Sequence, residues 1–331
     1  MKTKLLILSF FIIFGFSKHI NAQNKNQQKI TVALDGTGDF KSIQEAINAT
    51  NNTIDEIITI YIKNGVYKEK IQISETKHHI KLVGENRENT IITFDDYSGK
   101  IDAVTNEKIG TSTSYTMLVN GNNIEIHNLT IENSTCNVGQ AVALHVIGNQ
   151  FFITNSNIFG CQDTLYATGT NSNQLYLNCT ITGTTDFIFG AATAVFKDCI
   201  IISKKNSYIT AASTPENSEF GYVFLNCNLI ANPEVSETFL GRPWRPYAQT
   251  VFIKCNLGSH IIPEGWNAWE DARFPNKDKT AFYAEYKNKG KGAISTQRVP
   301  WSRQLTVKEA KKYTIKTIFK NCSNWSALSN K

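Results

Sequence analysis

Gln140, Asp163 and Asp186 stand at equal intervals, 23 residues apart each time. On a chain wound into coils of that length they would stack as one column on consecutive rungs, with the two carboxyls about 5 Å apart. Both cannot ionise comfortably at that distance. One pKa rises and the other stays low, so the pair titrates as a unit suited to an acid and a nucleophile. Polar residues on the face of a solenoid also recur with the coil without doing chemistry, and the column alone leaves both readings open. The surroundings of Asp186 sharpen the question. In GTTDFIFGA (183–191) it sits between a threonine pair and Phe187-Ile188-Phe189, where a partly buried carboxylate needs a charged partner or a raised pKa.

A coil that could carry such a column is written elsewhere in the chain. The pattern IHNLTI (126–131) returns as ITNSNI, YLNCTI, FKDCII, FLNCNL and FIKCNL, and its fourth position is Leu129, Ser156, Cys179, Cys199, Cys227 and Cys255. Each unit is a short β-rich run bounded by Asn, Gly or Thr, too short to hold a helical crossover. Strands repeating in this way predict an all-β parallel β-helix in which each coil contacts only its neighbours. The third position is Asn in four of the six runs, Asp198 in one and Lys254 in the last. An amide ladder at a turn is expected, broken by Lys254 near one end. Cys179 and Cys199 fall in one column on adjacent coils, and a disulfide or a buried stack of free thiols are equally open. Ser42 to Glu45 (SIQE) is a capping-box pattern, which predicts a short helix covering the N-terminal end of the stack. The tail at 308–321 reads as partly helical and is expected to pack alongside.

Bulk composition narrows the class. Lys2 and Lys4, an apolar run from Leu5 to Phe16 and the small residue Ala22 predict a signal peptide over 1–22, leaving one catalytic domain over 23–331. Secretion, to the periplasm or the medium, follows, with no membrane anchor. Removing that leader takes away Lys2, Lys4 and Lys18 and lowers the formal charge from +6 to +3. So mild an excess does not forecast nucleic-acid binding. The lysine pairs 204–205 and 311–312 read as solvated surface. Seven cysteines allow disulfides and leave at least one thiol unpaired. No CxxC, HExxH or GxSxG string occurs, so a zinc site, a metalloprotease-type centre and a serine-hydrolase elbow lack support. The histidines at 78, 79, 127, 145 and 260 read as surface or core.

The strings GVYKE (65–69), QAVAL (140–144), QDTLY (162–166), DFIFG (186–190) and LGRPW (240–244) stand in the order found in pectin methylesterases. DGTGDFKSIQEAI (35–47), GWNAW (265–269), YAEYKNKGKGA (283–293) and RVPW (298–301) add to the match. The chain resembles that family over essentially all of its length after the leader. The resemblance implies a right-handed, single-stranded parallel β-helix that hydrolyses the methyl ester at galacturonate C6 of pectin, without cofactor or metal. Matched motif to motif, Asp186 is the nucleophile, Asp163 the general acid and base, and Gln162 with Gln140 the donors to the oxyanion. Arg242 becomes the partner of Asp186, keeping it ionised. Trp244, Tyr166, Trp266, Thr111 and Phe187 are expected around the substrate, while Trp269 and Trp301 are left open between substrate and core. The polar segment 94–114 is expected to form a loop over the groove, and a monomer is expected. Two other readings stay in play: a different β-helix pectin enzyme, a polygalacturonase or a lyase, and a non-catalytic polysaccharide-binding β-helix.

Overall fold

The computed structural model describes residues 29–51, 57–322 and 324–329. The predicted signal peptide lies outside them. The described chain winds through three parallel sheets of eleven, seven and eight strands, and successive strands of each sheet come from successive coils. One coil runs Asn173–Leu177, Thr180–Gly183 and Ile188–Gly190, one strand for each sheet, before Thr193–Lys197 begins the next. The architecture is the parallel β-helix that the repeat predicts.

Inward-facing columns of like residues explain why this sequence takes that shape. In the eight-stranded sheet Ile131, Ile158, Ile181, Ile201, Leu229 and Leu257 lie in register on consecutive coils, all fully buried. In the eleven-stranded sheet Tyr176, Phe196, Phe224 and Phe252 stack with ring centroids 4.6, 4.5 and 4.3 Å apart. β-branched and aromatic side chains suit a pleated surface, and the coil spacing brings their faces to van der Waals contact. Each buried side chain of this size contributes about 1.5–3 kcal/mol.

The turn between the eleven- and eight-stranded sheets carries the amide ladder. Asn128, Asn155, Asn178, Asp198, Asn226 and Lys254 all have left-handed φ, from 49° to 59°, a conformation Asn and Asp adopt at least cost. Asn155 Nδ2 donates to Asn128 Oδ1 at 2.9 Å and Asn178 Nδ2 to Asn155 Oδ1 at 3.3 Å. The next column inward holds Cys179, Cys199, Cys227 and Cys255 as buried free thiols. Cys179 and Cys199 do not bond. Equivalent side chains on a parallel ladder point the same way rather than at each other, and each Sγ instead meets a carbonyl, Leu177 O and Tyr176 O respectively, at 3.4 Å. The disulfide is Cys136–Cys161, with Cα atoms 5.4 Å apart. Lys204 is not simply solvated surface: its Nζ donates to Gly160 O at 3.0 Å beside this bridge.

A helix covers the N-terminal end, and the tail packs along the flank of the middle coils. Ser42 caps the helix Ile43–Ala49, which buries Ile43, Ala46 and Ile47 against the first coils. The anion at its N-terminus is Glu69 of GVYKE, which accepts from Ser42 Oγ at 2.8 Å and from the Ile43 and Gln44 N–H groups at 3.0 Å. The tail forms short helices Val307–Ala310, Ile315–Ile318 and Ser326–Ser329. Its Ile318, Phe319 and Trp325 pack on Phe152, Leu175, Val195 and Val223 of the eleven-stranded sheet.

Candidate active site

The seven-stranded sheet presents one outward column across five coils: His145, Tyr166, Phe189, Ala211 and Arg242 are in register. His145 and Tyr166 stack at 4.4 Å and Tyr166 and Phe189 at 4.2 Å. Ala211 then interrupts the aromatic run and leaves a hollow. Arg242 lies on Phe239–Pro243, the edge strand of its sheet, where Pro243 removes no ladder bond. Gly241 beside it is required by close approach, because a Cβ there would strike Thr210.

The turn that feeds this sheet delivers the carboxylates. Asp163 and Asp186 have left-handed φ of 64° and 48°, each just before its strand. Leu165 pairs with Ile188, so the two aspartates share one register position on adjacent coils, about 4.8 Å apart along the stack. They are 8% and 6% exposed. Arg242 Nε donates to Asp186 Oδ1 at 3.0 Å and Nη2 to Oδ2 at 2.7 Å, a two-point contact that fixes the carboxylate plane. The guanidinium is itself clamped, its carbon 3.8 Å from the ring centres of both Tyr208 and Trp269.

These surroundings split the pair. Burial lifts Asp163 well above the ordinary carboxylate range, and the neighbouring Asp186 charge lifts it further. Burial also raises Asp186, but the hydrogen bonds and charge of Arg242 oppose the rise. Asp186 therefore loses its proton first and Asp163 retains one. The pKa of Asp186 does not stay at the low value expected from the sequence, because desolvation outweighs the arginine.

The hollow is a cleft of about 440 Å³ lined by both aspartates, Gln140, Gln162, Tyr166, Arg242, Trp244 and Thr111, together with Ser112, Phe189, Ala211 and Trp269. Eight of the ten residues singled out from the sequence thus converge. The other two do not. Phe187 is fully buried and belongs to the interior, because the chain turns a corner after Asp186 and sends this ring inward; the cleft aromatic is Phe189. Trp266 is 1% exposed and closes the aromatic core against Phe252 and Tyr283, while Trp269 of the same GWNAW string faces the cleft. Gln140 also departs from the equal-spacing column. It bridges Gln162 rather than Asp163, since the coil between Leu144 and Leu165 is shorter than the next one. The two amides consequently sit side by side. Segment 94–114 supplies Thr111 and Ser112 to the wall, anchored by Lys70 Nζ donating to Thr113 O at 2.8 Å and by the His145 ring, whose Nδ1 donates to Ser112 O at 3.1 Å. Burial lowers His145 to about 4, so it serves there as a neutral donor. A larger hollow of about 650 Å³ around Tyr208, Phe239 and Glu264 is lined by two solvent-exposed glutamates, Glu237 and Glu264, rather than by a buried pair.

Chemically, the cleft combines a carboxylate held for attack, a protonated carboxyl beside it, two amide donors and an aromatic wall. A family profile described as Pectinesterase matches residues 29–322. The pectinesterase of Petunia integrifolia is 37% identical over 318 residues, covering 91% of this chain and 82% of the relative. The chain spans about half the length of several relatives named as pectinesterase/pectinesterase inhibitor, 52% of one from Arabidopsis thaliana. Among solved structures, carrot pectin methylesterase superposes with a TM-score of 0.81 at 32% identity, covering 90% of this chain and 94% of that one. A pectin methylesterase solved in complex with a hexasaccharide gives a TM-score of 0.75 at 29% identity over 87% of this chain and 96% of that one.

Proposed function

Because the chain belongs to the pectinesterase family, we propose that it hydrolyses the C6 methyl esters of homogalacturonan to pectate and methanol, with Asp186 as nucleophile and Asp163 as general acid and base. The observation that carries this reading is the split pair: Asp186 gripped at two points by Arg242, with the more proton-retaining Asp163 one coil away in register. Asp186 attacks the ester carbonyl carbon, and the bond to the methoxy oxygen breaks as Asp163 gives that oxygen its proton. Methanol leaves and an acyl anhydride remains on Asp186. Asp163, now a carboxylate, takes a proton from water as the water oxygen attacks the substrate carbonyl. The anhydride opens, and both aspartates return to their starting states.

Gln140 and Gln162 suit the oxyanion role, since amides donate without adding charge that would compete with Arg242. Trp244 and the outer face of Phe189 offer ring surface to the sugar, while Tyr166, stacked between His145 and Phe189, presents only its edge and hydroxyl; Trp244 meets Tyr166 and Phe189 edge-on, with centroids 6.4 and 5.9 Å away. Thr111 adds a hydroxyl to the lining. Relatives crystallised with hexasaccharides support an oligosaccharide in the equivalent groove. Export under the leader at 1–22 fits the Cys136–Cys161 bridge, a bond typical of oxidising compartments. One continuous stack of coils supports a single catalytic domain.

Asp186→Asn tests the assignment. Methanol release from methylated pectin should fall at least about a thousandfold, with chain length unchanged for the wild type. A folded Asn variant that still releases methanol near the wild-type rate would remove Asp186 as nucleophile.

A further inference from the structure

The amide ladder changes character in its last coils. Residue pairing places Asn226, Lys254 and Lys287 in one column. Two residues along, Asn228, Asn256 and Lys289 form a second column. Lys254 N donates to Tyr286 O at 2.8 Å and Lys289 N donates to Cys255 O at 2.9 Å, so the backbone fixes both columns in register. Lys254 and Lys287 take left-handed φ of 54° and 48°. Lysine gains nothing locally from that conformation, unlike the Asn that holds it in earlier coils.

Three exposed ammonium groups thus gather on one shallow depression floored by Asn226, Asn228 and Asn256. Among the described residues, none of the three has a carboxylate within ion-pair distance. The acidic residues closest along the chain or the ladder are engaged elsewhere, Glu285 with Arg298 at 2.7 Å and Asp198 with Lys197 at 3.3 Å. Like charges held on neighbouring rungs repel, and a bound polyanion relieves that repulsion.

We infer that Lys254, Lys287 and Lys289 form a second polysaccharide site that binds de-esterified galacturonan, a polyanion with carboxylates at a regular interval. The inference rests on galacturonan being the substrate. The site lies at the edge between the eleven- and eight-stranded sheets, and the cleft lies on the seven-stranded sheet. A demethylated stretch held there leaves the cleft free for esterified chain. Methylated galacturonan is uncharged and would not be retained, so the site reads the product rather than the substrate.

The experiment is electrophoresis of the folded full chain through gels containing fully de-esterified pectate. The test variant is Lys254→Asn, Lys287→Asn and Lys289→Gln, which restores the ladder residue at the two left-handed positions. A control of equal charge, Lys308→Gln, Lys312→Gln and Lys316→Gln, alters exposed lysines of the tail. All three proteins are run with Asp186→Asn as background, so retention is read without turnover and independently of the proposed nucleophile. The test variant should lose about tenfold in apparent pectate affinity, with the control close to the parent and the difference abolished by salt. With Asp186 intact, its rate on a short methylated oligogalacturonide should stay within about twofold of wild type. Retention unchanged in the test variant, or lost equally in the control, overturns the inference.

Discussion

Two turns of the same coil use one backbone device to opposite ends. At the ladder turn, Asn128, Asn155 and Asn178 sit in left-handed conformation and pass amide hydrogen bonds from rung to rung. At the turn into the seven-stranded sheet, Asp163 and Asp186 take the same conformation on neighbouring rungs, but two carboxylates cannot satisfy one another. The first turn uses up its side chains in stability. The second leaves them unsatisfied, and Arg242 must come from two coils further on to stabilise one of them. Reactivity in a solenoid therefore arises where stacked neighbours are mismatched.

The comparison breaks most severely at Arg242. Arg242→Ala leaves Asp186 buried without its counter-charge and should lower kcat about a hundredfold to a thousandfold. Arg242→Lys should recover only part of that loss, because an ammonium cannot make the two-point contact or fill the space between Tyr208 and Trp269. Steady-state methanol release by the two variants checks this; equal activity of the lysine variant and wild type would mean that charge alone suffices.

A smaller effect should appear in stability. The folded pKa of Asp163 is raised, so the folded state holds this proton more tightly than the unfolded chain does. Its contribution is complete below the ordinary carboxylate pKa and is lost as pH rises through the raised value. Asp163→Asn should therefore be inactive yet more stable than wild type at neutral pH, by about 1–2 kcal/mol, with the gap closing toward acid. Thermal unfolding between acid and neutral pH measures it, and a gap independent of pH would contradict the assigned proton.

The smallest effect belongs to the ladder. Asn178→Ala should cost about 1 kcal/mol in stability by removing one amide rung and straining a left-handed position, while kcat and KM hold. A large kinetic change would show that the two turns are coupled rather than separate.

The same contrast explains what could be read from the amino-acid order. Repetition exposed the fold, because inward columns such as Ile181, Ile201 and Leu229 are chemically uniform. The pair Asp163 and Asp186 was legible for the same reason. Gln140 was misplaced because the intervening coil differs in length, which equal spacing cannot reveal. Phe187 and Phe189 share parity, so alternation assigns them to one face, yet the corner at Asp186 separates them. Trp266 and Trp269 lie three residues apart in one string, and only the position of Phe252 and Tyr283 beneath Trp266 decides which enters the core. Cys136 stands outside the repeat, and connectivity among seven cysteines is not written in spacing. Ala211 carries no signal at all; its part is to be small.

The buried column of Cys179, Cys199, Cys227 and Cys255 bears on how the chain matures. Burial pushes the first three thiols away from the reactive thiolate form, so the finished fold shields them. A newly made chain has no such protection. All its sulfurs are then available for mispairing, and the yield of correctly bridged enzyme becomes a race between winding the coils and oxidation.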